Sequence, residues 1–240
     1  TINTELMLAD LDTKIKRIKK TERKAKSGEK KPLMELEELN KLKSALEEGK
    51  NIRELEFNEI TKRLVKELQL LSAKPIIYVC NIDESDINNP EDNEYVKKVK
   101  AHAQSEGAGV VKISAEIESD IAELEDEDKQ LFLDDLGIER SGLDTLIKAG
   151  YDLLDLITFF TAGEKEVRAW TVKRGSSAPE AAGKIHTDMQ RGFIRAEVVS
   201  YQDLISAGSM ADARDEGLLR LEGKDYIVKD GDVCFFRFNV

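Results

Sequence analysis

The sequence predicts an α/β fold flanked by a helical arm and a small α+β domain. Three observations carry this. Leucine and isoleucine recur at helical spacing through residues 1–72. Between 75 and 155, two short apolar runs rich in β-branched residues alternate with helical stretches, which is the order of a parallel α/β sheet. From 157 onward five short strand candidates are punctuated by glycines, with one helix between the second and third. The predicted domains are therefore 1–74, 75–156 and 157–240, and no segment repeats.

In the first region Leu8, Leu11, Ile15 and Ile18 follow a 3,4,3 spacing that puts them on one helix face. Ser27, Gly28 and Pro32 interrupt the pattern. A second helix carries Leu36, Leu39, Leu42 and Leu46. After a turn at Gly49–Asn51, a third carries Phe57, Ile60, Leu64, Leu68 and Leu71. Lys/Glu flanks suggest that the last two form an antiparallel hairpin with coiled-coil-like seams.

In the second region Pro75 precedes the strand Ile76–Cys80, followed by a polar helix over 91–105 and a strand over 110–113. An acidic helical stretch comes next, then an amphipathic helix from Leu143 to Leu156. The third region offers strands over 157–161, 167–172, 194–199, 218–221 and 233–238, and a helix over 178–185. Its size and element order suggest a ubiquitin-like or β-grasp shape.

Composition narrows the function. The chain has 240 residues, 40% hydrophobic, 35% charged and 6% aromatic. That is too charged and too poor in aromatics for one large core, yet too apolar for disorder. A net charge of −11 excludes a generally basic nucleic-acid binder but not a local basic patch. No apolar run approaches the roughly 20 residues that span a bilayer, and no charged-then-apolar leader opens the residues given. Two distant cysteines, Cys80 and Cys234, argue against a disulfide framework and favour a reducing, cytoplasmic setting. Two histidines leave little room for a histidine metal site.

The charge is uneven. Residues 12–31 hold ten basic and three acidic residues, and residues 116–135 hold ten acidic and one basic. Both runs read as solvated helix faces. The sharper reading is that the first, with Lys14, Lys16, Arg17, Lys19, Lys20, Arg23 and Lys24, meets phosphate. Lys165, Arg168, Lys173, Arg174, Lys184, Arg191 and Arg195 give the last domain a basic bias, and Trp170 and Phe193 are candidates to stack on bases or to fill the core. His186 and Asp188 end the short helix and offer a local hydrogen bond, but no nucleophile stands near them in sequence.

Two strand ends carry the candidate chemistry. Asn81-Ile82-Asp83-Glu84 follows the first strand, and ligands of open α/β sheets bind beyond the carboxyl ends of strands. An Asn amide there suits a purine N7 and its exocyclic group, and a carboxylate three residues on suits a base-edge donor. The GTPase form of this motif is Asn-Lys-x-Asp. Ile82 in place of Lys and Glu84 in place of Asp weaken the case for guanine and permit adenine. A turn-and-cap role explains the same residues. Ser114-Ala115-Glu116-Ile117-Glu118 follows the second strand, where Ser114 serves either a base-recognition loop or a helix N-cap.

These features together resemble the YchF or Obg-like ATPases. The resemblance is carried by residues 168–175 (RAWTVKRG), 181–186 (AAGKIH), 192–197 (GFIRAE) and 231–240 (GDVCFFRFNV), by the opening INTELMLADL of residues 2–11, and by the two strand-end motifs. It implies a P-loop nucleotide-binding domain with an α-helical coiled-coil insertion and a C-terminal TGS domain. It also implies ATP in preference to GTP, association with ribosomes or RNA, and redox regulation in which Cys80 and Cys234 take part or stay ordinary buried thiols. The base-binding set is then Asn81, Ile82, Glu84, Ser114 and Ala115. No G-x-x-x-x-G-K-[ST] occurs in these residues, so the N-terminal P-loop part is expected to be absent. Hydrolysis and Mg²⁺ are expected in the complete protein only. The rival expectations are a non-enzymatic RNA- or ribosome-binding module, or a coiled-coil scaffold.

Overall fold

The computed structural model describes residues 2–26, 28–89, 91–163 and 166–239. They divide into two compact units, Thr1–Cys80 with Asn89–Val110, and Asn81–Asn88 with Val111–Val240.

The first unit is built on helices α1 (Ile2–Ala25), α2 (Lys30–Glu47) and α3 (Glu59–Leu68). Gly28, at φ +77°, turns the chain between α1 and α2. Pro32 falls in the first turn of α2, where its missing N–H costs no helical hydrogen bond. Met7 and Leu11, early in α1, pack with Leu42 and Leu46, late in α2. Ile18, late in α1, packs with Leu36 and Leu39, early in α2. The hairpin is therefore α1 against α2, not α2 against α3 as the sequence predicts. Helix α3 is only ten residues long: Asn58 caps its start by accepting from Thr61 N at 2.9 Å, and left-handed Gln69 ends it. It joins the seam through Leu64.

Of the apolar stripe assigned to α1, Leu11 and Ile18 pack on α2, but Leu8 is 54% exposed, and the buried residues are Asp10, Lys14, Ile18 and Thr21. Three of these four are polar, so hydrophobic periodicity shows only part of the buried face. Asp10 accepts from Leu71 N and Ser72 N, both at 2.8 Å, and from Ser72 Oγ at 2.6 Å. Thr21 Oγ1 donates to Glu35 at 3.3 Å. Lys14 is fully buried and its Nζ has no hydrogen-bond partner. Burial outweighs the attraction of Asp10 and lowers its ammonium to about 8.

Helix α4 (Glu94–Glu106) completes this unit, capped by Asn93 and ended by Gly107 at φ +65°. Arg53 and Tyr78 both reach Glu106, at 3.4 and 2.8 Å. Strands β1 (Ile77–Asn81) and β2 (Gly109–Ile113) form a two-stranded sheet. Ile77 lies against Gly109, and Ile82 N donates to Ile113 O at 2.8 Å, so the strands run in parallel.

In the second unit the acidic stretch is two helices, α5 (Ala115–Glu123) and α6 (Asp126–Asp135), followed by α7 (Gly142–Leu153). Helix α7 stops three residues before the predicted end because Asp155 turns left-handed, at φ +53°. Strands β3 (Leu156–Ala162), β4 (Val167–Lys173), β5 (Phe193–Ser200), β6 (Arg220–Glu222) and β7 (Asp232–Phe238) form a mixed sheet in the order β4-β3-β7-β5-β6. Only β3 and β7 are parallel, with Phe160 opposite Val233.

Helix α8 (Ala178–Ile185) covers one face through Ala178, Ala181 and Ala182, which meet Ile157, Phe159, Val198 and Phe236. Small side chains let the helix approach the sheet closely. Val199 and Val233 face the other way, toward α10 (Tyr201–Ala207) and α11 (Met210–Asp215). The sequence reading missed these two helices and the five-residue α9 (Thr187–Arg191), and placed β6 two residues early. Ser200 and Ser209 accept from the amides of Asp203 and Asp212, both at 3.1 Å. These Ser-x-x-Asp starts were visible in the sequence.

Two variants test this packing. Lys14 is ordinary in the unfolded chain, so lowering pH from about 10.5 to 8 protonates it there first and destabilises the fold, and below about 8 the cost is constant. Lys14→Met should therefore stabilise the arm at pH 7 by about 2 kcal/mol, with the gain fading as pH rises toward 10. Thermal melts by circular dichroism at pH 7 and 9.5 measure it. At Gly192 an added Cβ would fall on the Asn239 carbonyl, which is backbone and cannot swing away. Gly192→Ala should cost about 2 kcal/mol or more, read from urea midpoints.

Candidate functional site

The two predicted loops leave the carboxyl ends of β1 and β2 and meet. Asn81 Oδ1 accepts from Ala115 N at 3.0 Å, so a side chain from one loop closes on the backbone of the other. Asn81 is exposed, and its Nδ2 faces no partner among the described hydrogen bonds. Glu84 is exposed in a 3-10 turn, Glu84–Asp86, whose start is capped by the Asp83 side chain accepting from Ser85 N at 3.0 Å. That hydrogen bond, with a second from the Ser85 hydroxyl, holds the Asp83 carboxyl below the usual range. Glu84 and Glu116 both line a recess of about 440 Å³ that also takes in Asn88 and Leu136.

The remaining predicted members behave differently. Ile82 is 7% exposed and its amide is used by the sheet. Ala115 has given its amide to Asn81. Neither N–H is therefore available to a base, because each already closes the strand-end geometry. Ser114 is 1% exposed and makes no cap hydrogen bond to α5, and its Oγ has no partner. Ser114 thus stands at the N-cap position of α5 without capping it through its side chain, and an orphaned hydroxyl is left buried beside the loop.

The sequence places Glu118 in the second strand-end motif and Gly142 before the last helix, but it gives neither the role it has in the structure. Both carboxylate oxygens of Glu118 are used at the start of α7, accepting from Gly142 N at 2.6 Å and Leu143 N at 3.1 Å, while Ser141 Oγ accepts from Asp144 N at 3.0 Å. A carboxylate at a helix N-terminus also meets the positive end of its dipole. Gly142 is required there, because a Cβ would lie 2.8 Å from Ile113. The Ser-x-x-Asp pattern at 141–144 was the available signal.

The candidate RNA-binding side chains differ in their surroundings. Lys14 is buried, and a buried amine reaches no phosphate. Arg17 is held by Glu35 at 2.7 Å and Glu67 at 3.2 Å, and Lys16 by Asp12 at 2.8 Å. Lys19, Lys20, Arg23 and Lys24 are exposed. In the last domain Lys184, Arg191 and Arg195 are exposed, Lys173 donates to the Leu154 carbonyl, and Arg174 pairs with Asp155 at 3.1 Å. Lys165 lies outside the described residues. Phe193, 4% exposed, belongs to the core and cannot stack on a base. Trp170 is half-buried: it packs on the same core, donates to Thr161 Oγ1 at 2.9 Å and lies under Arg168 at 4.2 Å.

His186 Nδ1 accepts from Asp188 N at 3.2 Å, an N-cap of α9 rather than a catalytic pair. Cys80 and Cys234 are free, and burial pushes the Cys234 thiol well up, away from the reactive thiolate. Among the described residues no three His, Cys, Asp or Glu side chains are placed to hold a metal. Asn81 Nδ2 and the Glu84 carboxylate are thus the exposed polar groups the two loops offer, while the Ser114 hydroxyl is out of reach of solvent.

The fold is thus a mixed α/β one in which a single side chain ties two strand-end loops together. Residues 156–239 match the YchF-GTPase_C family, described as a protein of unknown function (DUF933). The chain is 55% identical over its whole length to the ribosome-binding ATPase YchF of Bacillus subtilis, covering 66% of that protein. It is 48% identical to the Escherichia coli O157:H7 protein of the same name, covering 65%. It superposes on the structure of the Schizosaccharomyces pombe YchF GTPase with a TM-score of 0.83 at 31% identity, over 98% of this chain and 64% of that one. The chain belongs to the YchF family. It spans just under two thirds of the length of these curated relatives.

Asn81→Ala removes the tie between the loops at an exposed position. Stability should fall by only about 1 kcal/mol, whereas nucleotide affinity of the full-length protein should fall about tenfold, measured by calorimetric titration.

Proposed function

We propose that the full-length protein is a ribosome-associated ATPase and that this chain supplies its base-reading loops, its helical arm and its TGS domain. The observation that carries this is the Asn81–Ala115 hydrogen bond. It fixes the Asn81 carboxamide so that Nδ2 faces a ligand, with the Glu84 carboxylate three residues further on. Adenine presents an N6–H₂ donor to a carboxylate and a ring nitrogen to an amide. Guanine would ask Glu84 to replace the shorter Asp of the GTPase motif. The relatives' names, ribosome-binding ATPase, support the same reading.

On this reading residues 75–156 are the C-terminal half of a P-loop nucleotide-binding domain. The apolar side chains of α7 support it: Leu143 and Ile147 are 55% and 50% exposed, as a helix face meant for more sheet would be. Residues 1–74 are the coiled-coil insertion. Residues 157–240 are the TGS domain, whose sheet order and single long helix suit a β-grasp. Magnesium and the phosphates would be held by parts of the full-length protein other than the residues described. A cytoplasmic location follows from the ribosome partner.

A second reading, an RNA- or ribosome-binding role that needs no hydrolysis, is favoured by the exposed Lys19, Lys20, Arg23 and Lys24 on α1. Competition of ATP and GTP against a fluorescent nucleotide on the full-length protein tests the first. ATP should compete better, and Glu84→Ala should weaken ATP several-fold while narrowing its lead over GTP. A clear preference of the unaltered protein for GTP would overturn the adenine assignment.

A further inference from the structure

Helix α5 opens with Ala115, the residue whose amide Asn81 accepts, yet little packing holds that helix in place. Ile117 is the one buried side chain among its described residues. Apolar burial is non-directional, so a single such contact keeps a helix on the core without fixing its rotation. Glu118 supplies the missing direction. Its N–H makes the first helical hydrogen bond of α5, to Ser114 O at 3.0 Å. Its carboxylate leaves the helix and accepts from Gly142 N at 2.6 Å and Leu143 N at 3.1 Å.

The anchor at the far end is itself seated. A Cβ at Gly142 would stand 2.8 Å from the Ile113 side chain and 2.9 Å from Glu118 Oε1, so α7 begins directly against the last residue of β2. Ile113 O in turn accepts from Ile82 N, next to Asn81, at 2.8 Å. The links close a ring: Asn81 to Ala115, Glu118 to Gly142, Gly142 onto Ile113, and Ile113 back to Ile82. Every member lies in the second unit.

We propose that Glu118 is a positioning residue for the nucleotide base, fixing the Ala115 amide and through it the Asn81 carboxamide. The inference rests on the adenine-reading function proposed above and deepens it. Glu118 acts on the ligand only through Asn81. A carboxylate suits the task because its two oxygens take two successive N–H groups in charge-assisted hydrogen bonds. Without it α5 is free to turn, and a hydrogen bond weakens steeply once its alignment is lost. Asn81 Nδ2 then loses its fixed direction although every base-facing side chain is intact.

The test is calorimetric titration of the full-length protein with ATP, with urea midpoints measured alongside. Glu118→Ala should lose about fivefold in ATP affinity, and Glu118→Gln, which keeps one acceptor and folds if the alanine variant does not, should lose less. Ser141→Ala is the control: it removes the hydroxyl that caps the same α7 start, 3.0 Å from Asp144 N, but leaves the ring closed. It should lower the urea midpoint as Glu118→Ala does and change ATP affinity less than about twofold. In an Asn81→Ala background Glu118→Ala should cost less than about twofold more, because both act on one link. Equal affinity losses in Glu118→Ala and Ser141→Ala overturn the positioning role and leave Glu118 a helix cap. Additive losses in the double variant overturn the route through Asn81. A loss in Asn81→Ala with none in either Glu118 variant overturns this inference alone, whereas unchanged affinity in Asn81→Ala overturns the base-reading function and the inference together.

Discussion

The buried carboxylate of Asp10 is the constraint on which the first unit depends. At 3% exposure it cannot be solvated, and it is satisfied instead by three hydrogen bonds from Leu71 and Ser72. Hydrogen bonds to a charged acceptor are worth roughly twice neutral ones, and leaving such a group bare is far costlier. The segment that leaves α3 is thereby pinned to the third turn of α1, across 61 and 62 positions of sequence. Five residues after Ser72 the chain begins β1, which ends at Asn81. Anchoring by Asp10 fixes where β1 begins, and the parallel register with β2 fixes where it ends.

A second carboxylate does the corresponding work in the other unit. Glu118 gives both oxygens to the first amides of α7, beside a glycine that leaves no room for a side chain. This holds α5, and with it the Ala115 amide that Asn81 needs, against the start of α7. The acidic run over 116–135 is thus not one solvated face. Some of its charge is structural, as is some of the basic run, where Arg17 is already bound by Glu35 and Glu67. Net charge predicts little about partners when residues of both signs are used internally. What remains for a partner is the residue-by-residue remainder, and on the arm that is chiefly its exposed lysines.

How far the sequence could be read follows from these same residues. Period-3.6 leucines located the three helices, and β-branched runs located β1 through β5 and β7, because burial of apolar area imposes those patterns. The face of α1 was read only in part, through Leu11 and Ile18, because its other buried positions are Asp10, Lys14 and Thr21, to which hydrophobic periodicity assigns the wrong side. The hairpin was assigned to the wrong pair because heptad flanks do not say which helix a seam meets. Helices α10 and α11 were overlooked because each is under eight residues, too short to show a period, although their Ser-x-x-Asp caps were legible. At the site, position was readable: both loops were placed at strand ends. Availability was not, since whether the amides of Ile82 and Ala115 remain free depends on pairings a sequence does not display.

Those occupied amides change how a base would be read. If backbone N–H groups carried recognition, any residue at 82 or 115 would serve and identity at 81 and 84 would matter little. With both amides committed, the weight moves onto the Asn81 carboxamide and the Glu84 carboxylate. Asn81 then has two tasks, since its oxygen closes the loops and its nitrogen is left for the ligand. An Asp at 81 could accept from Ala115 but would present no donor. A Gln would carry its carboxamide one methylene further and break the 3.0 Å tie. Glu84 is under no such double demand: it is exposed, in a turn whose cap is Asp83 rather than itself. On the proposed reading its length is therefore free to be set by the ligand alone, and discrimination between bases would fall to Glu84, while assembly of the site would fall to Asn81.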